Sequence, residues 1–204
     1  MKIDMDKVSY ILGQSIGGDF RRQGFDINVE TFVESFQSAF AGKPGKMSPS
    51  EMQHVMMDFQ NYVQEKQQAE KSAASEANLN EGKQFLAENA KRDEVTVTES
   101  GLQYRVIEEG KGDKPSATDT VETHYEGKTL DGNIFDSSVK RGTPASFPVN
   151  GVIKGWQEAL QLMPVGSKWE LFVPSDLAYG PQGMGGTIGP NAVLVFEVEL
   201  LAIK

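Results

Sequence analysis

The chain has few groups able to make or break a covalent bond. It contains two histidines and no cysteine, which excludes thiol nucleophiles, disulfides and thiolate metal sites. His54 lies among the methionines of a helical stretch, and His124 falls on the polar side of an alternating segment, out of phase with Tyr125. No acid is spaced to orient either as a general base, so both read as surface histidines. Without a histidine cluster, no metal centre is expected. Ser137-Ser138 lacks the glycine-flanked elbow of a hydrolase nucleophile. Gly183, Gly185 and Gly186 are not followed by the lysine–serine pair of a phosphate loop, and read as a flexible flap. What is left is a set of aromatic and aliphatic residues at strand ends and turns: Tyr125, Phe135, Phe147, Val152, Ile153, Trp156, Tyr179, Ile188 and Phe196. One acid, Asp136, directly follows Phe135, and Arg141 comes shortly after it. Taken singly, each of these residues reads as core packing.

The elements that must position them fall into two regions. Val8, Ile11, Leu12, Ile16 and Phe20 form one helical stripe that ends at Gly24. Asn28 can cap a second helix with Phe32, Val33, Phe36, Ala39 and Phe40 as its apolar face, stopped by Gly42 and Pro44. Ser48, Pro49 and Glu51 make a capping box for a third, with Met52, Val55, Met56, Phe59 and Val63 as its stripe. From Pro49 to about Arg92 only Gly82 interrupts helical composition, and a helix of that length spans roughly 65 Å. Between about Glu65 and Ala77 its apolar stripe thins to alanines, which predicts a solvated spacer between two bodies. The helical region before it is too small to bury enough surface alone, and pairing with a second copy is the simplest remedy.

After Val95 the period changes to two. Leu102, Tyr104 and Val106 alternate with polar positions, as do Val121, Thr123 and Tyr125, then Trp169, Leu171 and Val173, and finally Leu194, Phe196, Val198 and Leu200. This predicts an antiparallel sheet with one face open to water. A short helix fits Lys154 to about Leu162. The fold class expected is α+β: an all-α region and a long connecting helix, then an antiparallel sheet covered by one helix.

Composition narrows the partners. The 204 residues are 38% hydrophobic and 24% charged, enough for a core, and the net charge is −9. Nucleic acid and anionic membrane both reward basic patches, so neither is expected as a partner. No run approaches a membrane span. Met1-Lys2-Ile3-Asp4-Met5-Asp6-Lys7 has no apolar signal core. As the chain stands it reads as cytoplasmic, with the periplasm as the alternative if a signal peptide was removed.

Several motifs then occur in order: Thr123-His124-Tyr125-Glu126-Gly127, Asp131-Gly132-Asn133-Ile134-Phe135-Asp136-Ser137-Ser138, Val152-Ile153-Lys154-Gly155-Trp156, Ala178-Tyr179-Gly180, and the ending Leu194-Val195-Phe196-Glu197-Val198-Glu199-Leu200-Leu201. Over 98–204 the chain resembles the FKBP-type peptidyl-prolyl cis/trans isomerases, which are also receptors of immunosuppressive macrolides. The N-terminal helices resemble the bacterial macrophage-infectivity-potentiator-like subfamily, which forms V-shaped dimers. The resemblance implies a helical dimerisation domain over 1–65, a spacer helix over 66–97 and the isomerase domain over 98–204, the last a half-barrel sheet around a short helix. It implies Trp156 as pocket floor, with Tyr125, Phe135, Phe147, Val152, Ile153, Ile188 and Phe196 around it. It implies Tyr179 at the rim with its hydroxyl donating to a substrate carbonyl, and Asp136 at the edge near Tyr125 with Arg141 as ion partner. The catalytic set is then Tyr125, Asp136 and Tyr179, and the substrate-binding set Phe135, Arg141, Phe147, Val152, Ile153, Trp156, Ile188 and Phe196. The implied partners are proline-containing unfolded or partly folded proteins, a second copy of the chain and rapamycin-type macrolides. Ala145 stands where the family often has phenylalanine, Met184 where histidine is frequent, Thr187 where an aliphatic is frequent and Gly189 where a second proline is common. These rim differences bear on substrate preference and macrolide affinity.

The residue set suits that reaction. Rotation about an X–Pro bond breaks no covalent bond, so no nucleophile, metal, nucleotide or other cofactor is needed. Asp136 reads equally as a group polarising the twisted amide or as a structural partner of Tyr125 and Arg141. A rival reading is a proline-independent holding chaperone, with Met47, Met52, Met56 and Met57 as adaptable apolar surface; the same methionines also read as dimer core.

Overall fold

The computed structural model describes residues 3–204, so the first two residues of the expected helical region lie outside the described residues. Two units are distinct, one ending at Tyr62 and one spanning Val63–Lys204.

The first unit holds α1 (Met5–Arg22), α2 (Val29–Phe40) and the start of α3 (Pro49–Asn89). Each helix begins at a side chain that satisfies free backbone N–H groups. The Asp4 carboxylate accepts from the amides of Asp6 and Lys7, and Asn28 Oδ1 accepts from the Thr31 amide at 2.8 Å. The capping box at α3 is reciprocal: Ser48 N–H donates to Glu51 Oε2 at 2.7 Å, and Glu51 N–H donates to Ser48 Oγ at 3.3 Å. Phe20 packs against Phe25 and Phe32, and Phe25 against Phe59, with ring centroids 5.0–6.3 Å apart. Even so, no described residue of this unit is buried, and Phe40 is 87% exposed. The expectation that no acid is placed at either histidine is corrected here. One helical turn brings the Asp58 carboxylate within 3.5 Å of His54 Nε2, although both side chains stand in solvent.

The second unit is built on a seven-stranded antiparallel sheet. Its strands are β1 (Val95–Val97), β2 (Gln103–Glu108), β3 (Thr120–Thr129), β4 (Ile134–Ser137), β5 (Ala145–Pro148), β6 (Lys168–Val173) and β7 (Leu194–Ile203). The order is β1-β2-β6-β7-β3-β4, with β5 also on β3. β4 and β5 share one edge of β3, the first on its later half and the second on its earlier half; the short helix α4 (Ser138–Arg141) lies between them in sequence. Strict alternation along β3 puts Val121, Thr123, Tyr125 and Gly127 inside. The helix α5 (Lys154–Leu162) lays Gly155, Trp156, Ala159 and Leu160 against that inner face. Leu102, Val121, Val149, Leu160, Met163, Leu171, Val173, Leu194, Val198 and Leu200 are fully buried. This is the α+β arrangement expected, and α5 has the span read from the sequence.

The later part of α3 belongs to this unit. From Lys71 onward one face of the helix is held against the sheet unit: Phe85 lies 5.8 Å from the Phe172 ring, Gly82 and Asn89 are buried, and Asn89 Nδ2 donates to Gln103 Oε1 at 2.9 Å. This contact explains why β6 loses its alternation at Phe172, an apolar residue on the sheet's outer side.

Gly155 sets how closely α5 approaches the sheet, since a Cβ there would lie 2.5 Å from Val173 Cγ1. Gly155→Ala should therefore lower stability by about 1–3 kcal/mol through overpacking, more than the gain of up to about 1 kcal/mol in helix propensity. Urea unfolding followed by tryptophan fluorescence measures this, and an unchanged midpoint would show that α5 shifts freely.

Candidate active site

The residues on the inner face of the sheet meet α5 at a cavity of about 550 Å³, within the usual range for a small-ligand site. It is lined by Tyr125, Phe135, Asp136, Phe147, Gly151, Val152, Ile153, Trp156, Tyr179, Met184 and Phe196. Trp156 is the hub. Its ring lies edge-on to Tyr125 at 5.2 Å, Phe196 at 5.3 Å and Phe147 at 6.0 Å, an arrangement that aromatic quadrupoles favour. Phe135 meets Phe196 edge-on at 5.6 Å. Gly127 makes room for that pair, because a Cβ there would fall 2.7 Å from both rings. The indole N–H of Trp156 is buried without a hydrogen-bond partner among the described residues. Gln157 Nε2 donates to the Val152 carbonyl at 2.7 Å, fixing the turn that leads into Ile153 and Trp156.

One polar group stands at the edge of this apolar space. Asp136 accepts from the Tyr125 hydroxyl through one carboxylate oxygen and from Arg141 through the other. Arg141 Nη2 also donates to the Tyr125 hydroxyl at 3.1 Å, and its guanidinium carbon lies 5.7 Å from the Tyr125 ring centre. Burial alone would raise the Asp136 carboxyl, but the Tyr125 and Arg141 donors outweigh it and hold it below the usual carboxylate range. Burial pushes the Tyr125 phenol up, and its bond to Asp136 adds to this. Tyr179 is also raised, by burial first and then by the Asp136 charge. The Tyr179 hydroxyl has no hydrogen-bond partner among the described residues, so its donor is available to a ligand.

Of the residues singled out in the sequence, Tyr125, Phe135, Asp136, Phe147, Val152, Ile153, Trp156, Tyr179 and Phe196 are brought together here. Arg141 does not line the cavity but sits behind Asp136 and Tyr125. Ile188 does not line it either; it is 3% exposed and packs in the core. Its partner in a small hairpin, Met184, faces the cavity instead, the two joined by backbone hydrogen bonds of 2.9 and 3.1 Å. Met184 and Gly151 are the lining residues that sequence reasoning left out of the site. The flap motif placed Met184 on the rim, whereas Gly151, in a 3₁₀ turn, carries no sequence signal. His124 Nδ1 lies 3.1 Å from Ser138 Oγ, which also accepts from the Tyr125 amide at 2.8 Å, so both serve to fix β3. Among the described residues no cluster of three or more His, Cys, Asp or Glu side chains is placed to hold a metal ion.

An antiparallel sheet packed against one helix around an aromatic cavity with a single carboxylate at its edge is the arrangement of a small-ligand binding site. Residues 111–201 match the FKBP-type peptidyl-prolyl cis-trans isomerase family, and residues 5–106 match the domain amino terminal to FKBP-type peptidyl-prolyl isomerase. The chain is 46% identical over 198 residues to the FKBP-type 22 kDa peptidyl-prolyl cis-trans isomerase of Escherichia coli, covering 97% of this chain and 94% of that one. It is 44% identical over 201 residues to the outer membrane protein MIP of Legionella longbeachae, covering 98% and 86%. The crystal structure of FkpA from Escherichia coli aligns with a TM-score of 0.78 at 37% identity, covering 100% of this chain and 98% of that one. The chain belongs to the FKBP-type peptidyl-prolyl cis-trans isomerase family, and its activity is the cis/trans isomerisation of X–Pro peptide bonds.

The hydrogen-bonded trio makes a pH prediction. Asp136 is depressed in the folded state, so its contribution to stability is complete above about pH 4, the unfolded carboxyl value, and is lost as pH falls through the lower folded value. In Tyr125→Phe one donor is gone, so the Asp136 carboxyl should titrate higher, and the loss should be smaller and complete at higher pH, its onset still set by the unfolded carboxyl. Carbon-13 NMR titration of the carboxyl reads the shift directly; an unmoved titration would mean the Tyr125 bond contributes nothing.

Proposed function

We propose that the Trp156 cavity receives the proline ring and that Tyr125, Asp136 and Tyr179 act on the rotating amide. The observation that carries this is the cavity itself: an aromatic space closed by Trp156, with one charged group at its edge and one unpartnered hydroxyl at its rim. The barrier to rotation is amide resonance, about 18–20 kcal/mol. The twisted amide has lost that resonance, and its carbonyl dipole is smaller than in the planar form. An apolar cavity therefore disfavours the planar ground state relative to the twisted state. Phe135, Phe147, Val152, Ile153 and Phe196 hold the ring, and a hydrogen bond from Tyr179 to a neighbouring carbonyl fixes the chain on one side of the bond. Asp136, kept charged by Tyr125 and Arg141, supplies the one fixed charge next to the amide. Arg141 acts by holding Asp136, and Ile188 by supporting Met184 from beneath.

The test is cis-to-trans exchange of a short leucyl-prolyl peptide, with and without rapamycin. Trp156→Ala should lower kcat/KM at least about tenfold and remove the drug's effect. Asp136→Asn should lower turnover more than it lowers the melting temperature. Full activity in Trp156→Ala would move the reaction out of this cavity, and equal loss of activity and stability in Asp136→Asn would make that carboxylate structural.

For the assembly, the proposal is a homodimer through the region 1–65, carrying the isomerase region 98–204 on the helix over 66–97. Tyr10, Ile11, Leu12, Phe36, Phe40, Met52, Val55 and Met56 are all exposed in the single chain. Burying each such side chain is worth about 1.5–3 kcal/mol, and a second copy offers the matching face. The clients in this reading are unfolded or partly folded proline-containing chains, which two linked sites engage more strongly than one. Sedimentation of Phe40→Glu should show a monomer that keeps peptide isomerase activity; an intact dimer would place the interface elsewhere. The alternative, client holding without isomerisation, predicts that Trp156→Ala still suppresses aggregation. Of the two compartments considered above, the periplasm has the support of a relative's name, since the Legionella longbeachae protein is called an outer membrane protein.

A further inference from the structure

The loop between Tyr179 and Asn191 brings two residues, Tyr179 and Met184, to the cavity. It contains Gly180, Gly183, Gly185, Gly186 and Gly189, so left to itself it would sample many conformers. Its side-chain hydrogen bonds run to one face of α3. Lys71 Nζ donates to Gln182 Oε1 at 2.9 Å, Asn191 Nδ2 donates to Ser75 Oγ at 2.7 Å, and Asn78 Nδ2 donates to the Pro190 carbonyl at 2.8 Å. Residues 71, 75 and 78 are spaced three and four apart, which puts all three over the loop. Asn191 is the one described residue other than glycine with a left-handed φ, 55°, a conformation that asparagine tolerates better than most. Its backbone N–H donates to the Gly180 carbonyl at 2.8 Å. A continuous path therefore runs from Ser75 through Asn191 to Gly180, the residue next to Tyr179. Gly189 completes the fit, because a Cβ there would lie 2.9 Å from Asn78 Nδ2.

We infer that Asn78 and Ser75 on α3 are positioning residues for isomerisation, clamping the 179–191 loop from behind so that Tyr179 and Met184 face the cavity in their working geometry. The inference rests on the cavity assignment made above. In it, α3 is part of the enzyme and not merely a connector to it. Neither residue touches substrate.

The experiment compares Asn78→Ala, Asn78→Asp, Gly189→Ala and the double variant Asn78→Ala/Gly189→Ala in the full chain. Aspartate fills the space of asparagine but cannot donate to the Pro190 carbonyl. Alanine at 189 displaces the Asn78 amide. Each single variant should lower kcat/KM on the order of tenfold, mostly in kcat, since the loop is present but misplaced. The double variant should be no worse than either alanine single variant, because all break the same bond. Melting temperatures should stay close to wild type. Unchanged kcat/KM in Asn78→Asp and Gly189→Ala, multiplying losses in the double variant, or losses that follow the unfolded fraction would each overturn the clamp. If Asn78→Ala fails to fold, Gly189→Ala and Asn78→Asp decide alone. Trp156→Ala, run alongside, separates the two ideas: its failure to lose activity sinks the cavity assignment and the clamp with it. Its loss of activity beside fully active Asn78→Asp sinks the clamp only.

Discussion

The packing of Trp156 against the rings around it is the interaction on which the second unit depends. A tryptophan can floor an open cavity only if its own ring is held from the sides and from below. Tyr125, Phe147 and Phe196 hold it edge-on from three different strands. Two glycines make this geometry possible: Gly155 lets α5 reach the sheet, and Gly127 lets Phe135 and Phe196 meet over β3. The same contacts that build the core thus leave a rigid apolar recess at its edge, and the energy of core packing also organises the site.

Asp136 is tolerated beside that recess because it is never alone. A lone carboxylate against aromatic rings would be driven toward its neutral form. The Tyr125 hydroxyl and the Arg141 guanidinium keep it charged, and each of the three bonds to the other two. Tyr125 therefore has two roles, with its ring in the wall and its hydroxyl in the polar trio. The proposed mechanism uses this combination, setting a rotating amide in surroundings that are mostly apolar and polar at one defined point.

The two units solve burial differently. The second closes its own core. The first makes three capped helices and a small aromatic contact set but buries no described residue completely. Between these extremes, the later half of α3 is polar and still docked. It is held by Lys71, Ser75, Asn78 and Asn89, with Phe85 as its one aromatic contact.

By itself the sequence determined the elements and the chemistry that is missing. Alternation at Val121, Thr123 and Tyr125 and at Trp169, Leu171 and Val173 marks the inner face of the sheet because a strand's period is two whatever it packs against. The Ser48–Glu51 box marks the start of α3 because capping is local. The absence of cysteine and the aromatic motifs pointed to a reaction without a nucleophile, and nine of the residues singled out do line one cavity. Only the tertiary structure decided that Met184 faces the cavity while Ile188 goes to the core, since a glycine-rich hairpin has no periodicity to read. The Arg141–Asp136 ion pair implied by the resemblance is present, and the structure adds only that Arg141 is outside the cavity lining, because a long side chain is placed by its partners and not by its position in the chain. And it alone showed that α3 from Lys71 onward is docked. The sequence reads the stretch from about Glu65 to Ala77 as solvated because docking there runs through hydrogen-bonding side chains, Lys71 and Ser75, and leaves no apolar stripe; a polar residue looks the same whether it faces water or another part of the protein.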